Sequence, residues 1–233
     1  LSAGSKSVRF VRSPFASGQI VNVELPPEGL IFTALDIKDV NPICPVLNRS
    51  DYISVDQPIL AADRVTYLGE PMAAVVADSL EEAEDLAEQV FFDIEPEDPV
   101  LTISQALDEG VAPVHLEANT NVLVDGSMQT KNFQSAFESA AEIIEIDVRS
   151  NRQAAMPLET RGGYAEFDRR LGRTTLTASV QMPHVLRTGL ADSLEIPENL
   201  IRVIAPDVGG GFGQKLSLIP EYVMLVWISR HLK

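Results

Sequence analysis

Cysteine is almost absent: the 233 residues hold one, Cys44. A single thiol forms no intrachain disulfide, so the fold needs no oxidising compartment. Nor can it hold an iron–sulfur cluster, which calls on a set of thiolates. Histidine is scarce too, and His115, His184 and His231 stand far apart with no metal-ligand spacing. Bases are few: 18 Lys and Arg face 34 Asp and Glu, for a formal net charge of −16. That balance argues against nucleic acid and anionic membrane surfaces as partners, because both are gripped by clustered Lys and Arg. No run reaches the roughly 18 apolar residues of a membrane helix. The opening LSAGSKSVRF lacks the apolar heart of a signal peptide. A cytoplasmic location is the expectation.

Hydrophobic residues make up 45% and charged residues 22%, the balance of a globular chain with a sizeable core. The sequence starts at Leu1 and stops at RHLK, directly after an apolar run. We therefore expect a piece of a longer polypeptide.

The first half reads as mixed α/β. PMAAVVAD (71–78) is a short apolar run suited to a buried strand. In SLEEAEDLAEQV (79–90), Ser79 and Glu82 have capping-box spacing, and Leu80, Ala83, Leu86, Ala87 and Val90 recur at helical period. VFFDIEP (90–96) follows as a strand, so the three predict a compact crossover unit. Further upstream, 29–40 reads as a strand followed by a helix start at Asp36. Periodicity fades over 108–126, where a domain boundary or linker is expected. A short helix within 132–142 then precedes a half-exposed strand, with Ile144, Ile146 and Val148 alternating with Glu145 and Asp147. A hairpin is predicted across 163–181, a helix over 184–196, and a strand over 200–206. The apolar helix of 219–233 should be buried.

The strand at 200–206 delivers the chain into APDVGGGFGQK (205–215), in which four of eleven residues are glycine. Strand, glycine run, helix is the arrangement that offers backbone amides to an anion. The dinucleotide fingerprint fails, because Gln214 stands where its third glycine belongs. The Walker loop fails as well, with Gln214 for its second glycine and Leu216 for its magnesium-binding hydroxyl. Pattern alone leaves two readings open: a tight turn or bulge, or a backbone approached closely by a ligand.

DVGGGFGQK (207–215) resembles the G-G-G-F-G-x-K loop of the molybdenum hydroxylases, the xanthine dehydrogenase, aldehyde oxidase and carbon monoxide dehydrogenase family. The likeness continues elsewhere. VRSPFASGQI (11–20) is similar to the family's R-S-x-x-A segment, and 60–96 to its Y-x-G-E-P-x-A-x-V-x-A stretch. NRQAAMPLETRGGYAEFD (151–168) resembles its N-R…E-P-R segment, and 178–203 its T-Q-x-P-H-x-x-R stretch.

The resemblance implies an α+β (mixed α/β) chain: an α/β-hammerhead domain at 1–128, then the truncated start of a molybdopterin-binding domain at 129–233. It implies a cofactor-binding set of Gln181, Gly210, Gly211, Phe212 and Gly213. Gln181 matches the glutamine whose amide approaches an oxygen ligand of the metal, although from pattern alone it is an exposed strand residue. Phe212 would be an apolar wall beside the metal. No residue here would ligate the metal directly, and none is assigned as catalytic, because the family's base is a glutamate near the far C-terminal end. The implied cofactor is molybdopterin with molybdenum, in the cytosine dinucleotide form common in bacterial relatives. The implied partners are the rest of the subunit, iron–sulfur and FAD-binding subunits or domains, and a small-molecule substrate, in an oligomer.

The implied chemistry is hydroxylation or oxidation of a carbon centre with water as oxygen source. This piece alone would carry one wall of the site and no complete active centre, and would be inactive. Leu216 stands where xanthine- and aldehyde-type members often place a purine-reading Glu, which leans the resemblance towards the carbon monoxide dehydrogenase branch. Thr160 and Val180 also depart from the pattern, at positions without an assigned role. The alternatives are a non-catalytic scaffold or assembly module derived from the family, and a phosphate-binding enzyme weakened by Gln214 and Leu216.

Overall fold

The computed structural model describes residues 4–45 and 47–232. Strands β1 (Ser7–Arg12), β2 (Gly18–Glu24), β3 (Leu30–Thr33), β4 (Arg64–Val65) and β5 (Pro71–Ala77) lead to helix α1 (Leu80–Ala87) and strand β6 (Phe91–Pro96). Two short helices follow, α2 (Ile103–Leu107) and α3 (Phe133–Glu138). The last third holds β7 (Gly163–Asp168), β8 (Arg173–Ala178), α4 (Pro183–Leu194), β9 (Ile201–Ile204) and α5 (Pro220–Leu232). The strands form three sheets, ordered β1-β5-β3, β4-β2-β6 and β7-β8-β9.

β5 is the central strand of the first sheet, antiparallel to β1 and β3, and is buried from Pro71 to Val76. A strand covered on both faces reads as a continuous apolar run, which is why PMAAVV does not alternate. α1 starts at Ser79, whose hydroxyl accepts from Glu82 N–H while the Glu82 carboxylate accepts from Ser79 N–H. Its Ala83 is buried, and the helix lies on β1 and β5.

Two expectations need correcting here. β6 does not return to the sheet of β5, so β5-α1-β6 is no crossover unit: β6 pairs antiparallel with β2, from Gly18↔Pro96 to Glu24↔Phe91. Ile94 thereby enters a separate small core with Ala61, Val65 and Met72. Asp36 starts no helix. Its carboxylate accepts from Thr33 N–H (2.7 Å) and Thr33 Oγ1 (3.0 Å), closing turns over 34–39.

β7 and β8 form the predicted antiparallel hairpin, and β9 adds parallel to β8 after α4 crosses over. Leu186 and Leu190 lock α4 into the core, and α5 buries Tyr222, Val223, Met224, Val226 and Ile228, as its apolar composition requires. One apolar core joins the two halves: Phe32, Ile59 and Val76 pack with Leu176, Leu186 and Met224. Trp227 meets Phe32 edge-on at 5.0 Å, and Arg12 on β1 pairs with Glu221 on α5 at 2.6 Å.

Residues 101–162 contribute nothing buried. The strand expected around Ile144–Val148 does not form there, and Ile144 and Val148 are 81% and 82% exposed. Alternation gives a segment a strand-like face, but a strand also needs a neighbour for its backbone groups.

Candidate functional site

The glycine loop runs between β9 and α5, as the sequence predicts. Its path is defined by unusual backbone angles: φ is +91° at Gly210, +50° at Phe212 and +82° at Gly213. A bulky residue in the left-handed region costs roughly 1–2 kcal/mol. Such strain clusters where a site imposes a conformation. The Phe212 ring is 74% exposed, and it folds back over Gly210, where an added Cβ would lie 2.7 Å from the ring.

Gln181 leaves the end of β8 and is tied to the loop twice. Its N–H donates to Lys215 O at 2.8 Å, and its Oε1 accepts from Gly213 N–H at 3.1 Å. The second bond fixes which way the amide points, since an N–H donor can only be met by the carbonyl oxygen. The Gln181 NH2 is left with no acceptor among the described residues. Gly211 lies flat against this carboxamide; a Cβ there would sit 2.4 Å from Gln181 Cδ.

The loop's other amides separate into used and unused. Gly209 N–H goes to Glu159, Gly210 N–H to Val208 O, Gly213 N–H to Gln181 and Gln214 N–H to Gly211 O. The N–H groups of Asp207, Val208, Gly211, Phe212 and Lys215 have no acceptor among the described residues, and of these Gly211 lies against the Gln181 carboxamide with Phe212 next to it. Two adjacent free amides with a free carboxamide NH2 nearby suit an electron-rich ligand atom. Of the expected set, the structure brings Gln181, Gly211 and Gly213 into contact, and places Gly210 beneath Phe212.

Four residues given no role by sequence hold the loop from beneath. Lys215 is fully buried in its side chain, and its ammonium donates to Glu159 Oε2 at 2.6 Å. The same oxygen accepts from Ser179 Oγ (2.5 Å) and Gly209 N–H (2.7 Å). These three donors, Lys215 first, lower the Glu159 pKa to about 2, so the carboxylate is ionised at neutral pH. Arg161 grips Gln214 O with Nε (3.2 Å) and Nη2 (3.0 Å). The available signal was the loop lysine itself, followed by apolar residues: a buried ammonium demands a nearby acid.

A groove of about 780 Å³ opens beside this brace, between β1, β7 and α5, with Arg12, Arg161 and Tyr222 in its lining. No residue of 207–215 lines it. Among the described residues no group of three or more His, Cys, Asp or Glu side chains is arranged to hold a metal ion. No helix among them is long and apolar enough to cross a membrane.

Family comparison bears directly on the loop. Residues 114–233 match the molybdopterin cofactor-binding domain, and residues 2–98 match the a/b hammerhead domain of aldehyde oxidase and xanthine dehydrogenase. The chain belongs to the molybdenum hydroxylase family. This chain is 35% identical to the nicotine 6-hydroxylase large subunit of Paenarthrobacter nicotinovorans, over 96% of its own length and 28% of that protein. It is 32% identical to the carbon monoxide dehydrogenase large chain of Afipia carboxidovorans, over 94% of its length and 29% of that chain. Its fold superposes on quinoline 2-oxidoreductase from Pseudomonas putida 86 with a TM-score of 0.91 and 33% identity, covering 100% of this chain and 30% of the other. The chain thus spans about three tenths of the relatives it matches.

Proposed function

We propose that this chain forms one wall of the molybdenum cofactor site in the catalytic, molybdopterin-binding subunit of a molybdenum hydroxylase. The observation that carries the reading is the pair of acceptor-free amides at Gly211 and Phe212, beside the free NH2 of Gln181. When bound, the cofactor would supply hydroxylation of a carbon centre, with water as oxygen source and release of two electrons.

The chain's own residues bind and orient. Gly211 and Phe212 donate through their main chain, which needs a backbone with no Cβ in the way at Gly211. Gln181 donates through a neutral amide, adding no charge and occupying no coordination position. Gly210 and Gly213 supply the left-handed turns on either side. The exposed Phe212 ring would be an apolar wall beside the bound group. Glu159 Oε2 is engaged by three donors that tie the carboxylate to the loop, no proton-transfer role is assigned to it, and the base is expected outside this span.

Phe212 and Leu216 present exposed apolar side chains that offer no hydrogen bond to a polar substrate. This favours an apolar substrate, or a heteroaromatic one with fewer hydrogen-bonding groups, over a purine. The similarity to enzymes named for nicotine and quinoline supports the same choice. The cytosine dinucleotide form of the cofactor, and iron–sulfur and FAD-binding partners to carry electrons away, belong to the same reading. So does the division into a hammerhead domain at 1–128 and a cofactor domain at 129–233.

The test is metal and pterin analysis of the intact protein, with substrate turnover in water carrying a heavy oxygen isotope. Molybdenum near one per chain and label in the product support the reading. A folded, metal-free protein with no label transfer replaces it with a non-catalytic scaffold.

A further inference from the structure

We propose that Glu159 is a positioning residue: its carboxylate clamps both ends of the glycine loop and so holds the Gly211 and Phe212 amides free to donate. The last clause rests on the cofactor reading above; the clamp itself does not.

Gly209 and Lys215 flank the loop at its entry and exit. One oxygen, Glu159 Oε2, accepts from both, at 2.7 Å and 2.6 Å. Ser179 Oγ, beyond the end of β8, donates to the same oxygen and so anchors it to the sheet. Two residues on, Arg161 takes Gln214 O. The segment 159–161 therefore touches the loop at three points, although it has no helix or strand of its own. The approach is close: a Cβ on Gly209 would lie 2.7 Å from Glu159 Cβ.

A buried ammonium without a counter-charge is strongly unfavourable, and Lys215 is the buried member of this pair: its side chain is fully buried, while that of Glu159 is 41% exposed. Lys215 is therefore drawn out of the core when the Glu159 charge is lost, and the loop's exit moves with it. Neutralising Lys215 is one task; accepting from Gly209 N–H is another. A purely charge-balancing residue would perform only the first, and a pair of double variants separates the two. E159Q/K215M removes both charges but keeps a carbonyl oxygen for Gly209 and Ser179. E159L/K215M removes the charges and the acceptor together.

The experiment uses the intact protein with two readouts that need no turnover. Reductive methylation followed by peptide mass spectrometry compares Lys215 with the exposed Lys38 and Lys131. Amide hydrogen exchange follows Gly209, and circular dichroism checks that each variant is folded. In the unmodified protein Lys215 should react about a hundredfold more slowly than Lys38, because labelling waits on local opening. E159Q should remove most of that protection. E159Q/K215M should restore slow exchange at Gly209, and E159L/K215M should not.

Protected Lys215 in E159Q, or equal Gly209 exchange in the two double variants, overturns the clamp whatever the metal content. Molybdenum is measured on the same samples. Metal lost in E159Q and regained in E159Q/K215M supports the clamp's link to the cofactor. If E159Q opens the loop and keeps its metal, the clamp stands and the cofactor reading of the loop fails.

Discussion

Replacing Gly211 by alanine should disturb the site far more than the fold. The new Cβ would lie 2.4 Å from Gln181 Cδ and 2.6 Å from its Cγ and Oε1, all clash distances. Every clashing atom belongs to one exposed, flexible side chain, and φ at Gly211 is not left-handed, so alanine fits the backbone itself. The Gln181 carboxamide must swing away, losing its 3.1 Å bond from Gly213 N–H. A hydrogen bond of this kind contributes about 1 kcal/mol. Exchanging Gly for Ala at a compatible backbone position recovers about 0.4–1 kcal/mol through the unfolded chain. The two nearly cancel, so Tm should move by no more than about 4 °C in a chain of this size. Thermal unfolding, amide exchange at Gly213 and metal content form the assay. The expected result is an almost unchanged Tm, fast exchange at Gly213 and a lowered molybdenum content. Retained protection at Gly213, or a fall in Tm beyond about 10 °C, would refute the reasoning.

Gly213→Ala makes the contrasting case, with nothing within 4 Å of the added Cβ but φ at +82°. It should destabilise by about 1–2 kcal/mol, visible in denaturant unfolding, while leaving the orientation of Gln181 unchanged by NMR. Leu176 on β8 is fully buried in the shared core. Leu176→Ala should cost about 2–5 kcal/mol in the same assay, without altering the amide exchange pattern of the loop. Acid should undo the clamp: the Glu159 carboxyl is depressed from 4.5 to about 2, so its stabilisation is complete above pH 4.5 and fades as pH falls towards 2. The stability gap between the unmodified protein and E159Q should shrink over that window; a gap independent of pH contradicts the assignment.

Local patterns carried the elements well. The capping box at Ser79, the continuous run of β5 and the all-round apolar α5 each encode both a structure type and its degree of burial. The glycine loop's place between a strand and a helix was legible in the pattern, but the choice between a bare turn and a ligand-facing backbone came only from the family resemblance. Partnership was not legible. Nothing local to VFFDIEP says that β6 joins β2 instead of β5, since register is decided by which sheet face needs Ile94. The alternation of Ile144, Ile146 and Val148 was real as a pattern, yet pairing depends on a neighbour elsewhere. Glu159 escaped for the same reason: it meets Gly209 across 50 positions of sequence. Only the burial of Lys215 reveals why an acid is needed there.

The central claim is that bare peptide units at Gly211 and Phe212 exist to meet the molybdenum cofactor. A structure of the cofactor-loaded protein measures this directly, through the distances from Gly211 N, Phe212 N and Gln181 Nε2 to the nearest cofactor atoms. The account predicts hydrogen-bond contact, about 2.7–3.2 Å, from at least one main-chain amide and the carboxamide. A loaded cofactor lying elsewhere, with these three donors turned to solvent, would contradict it.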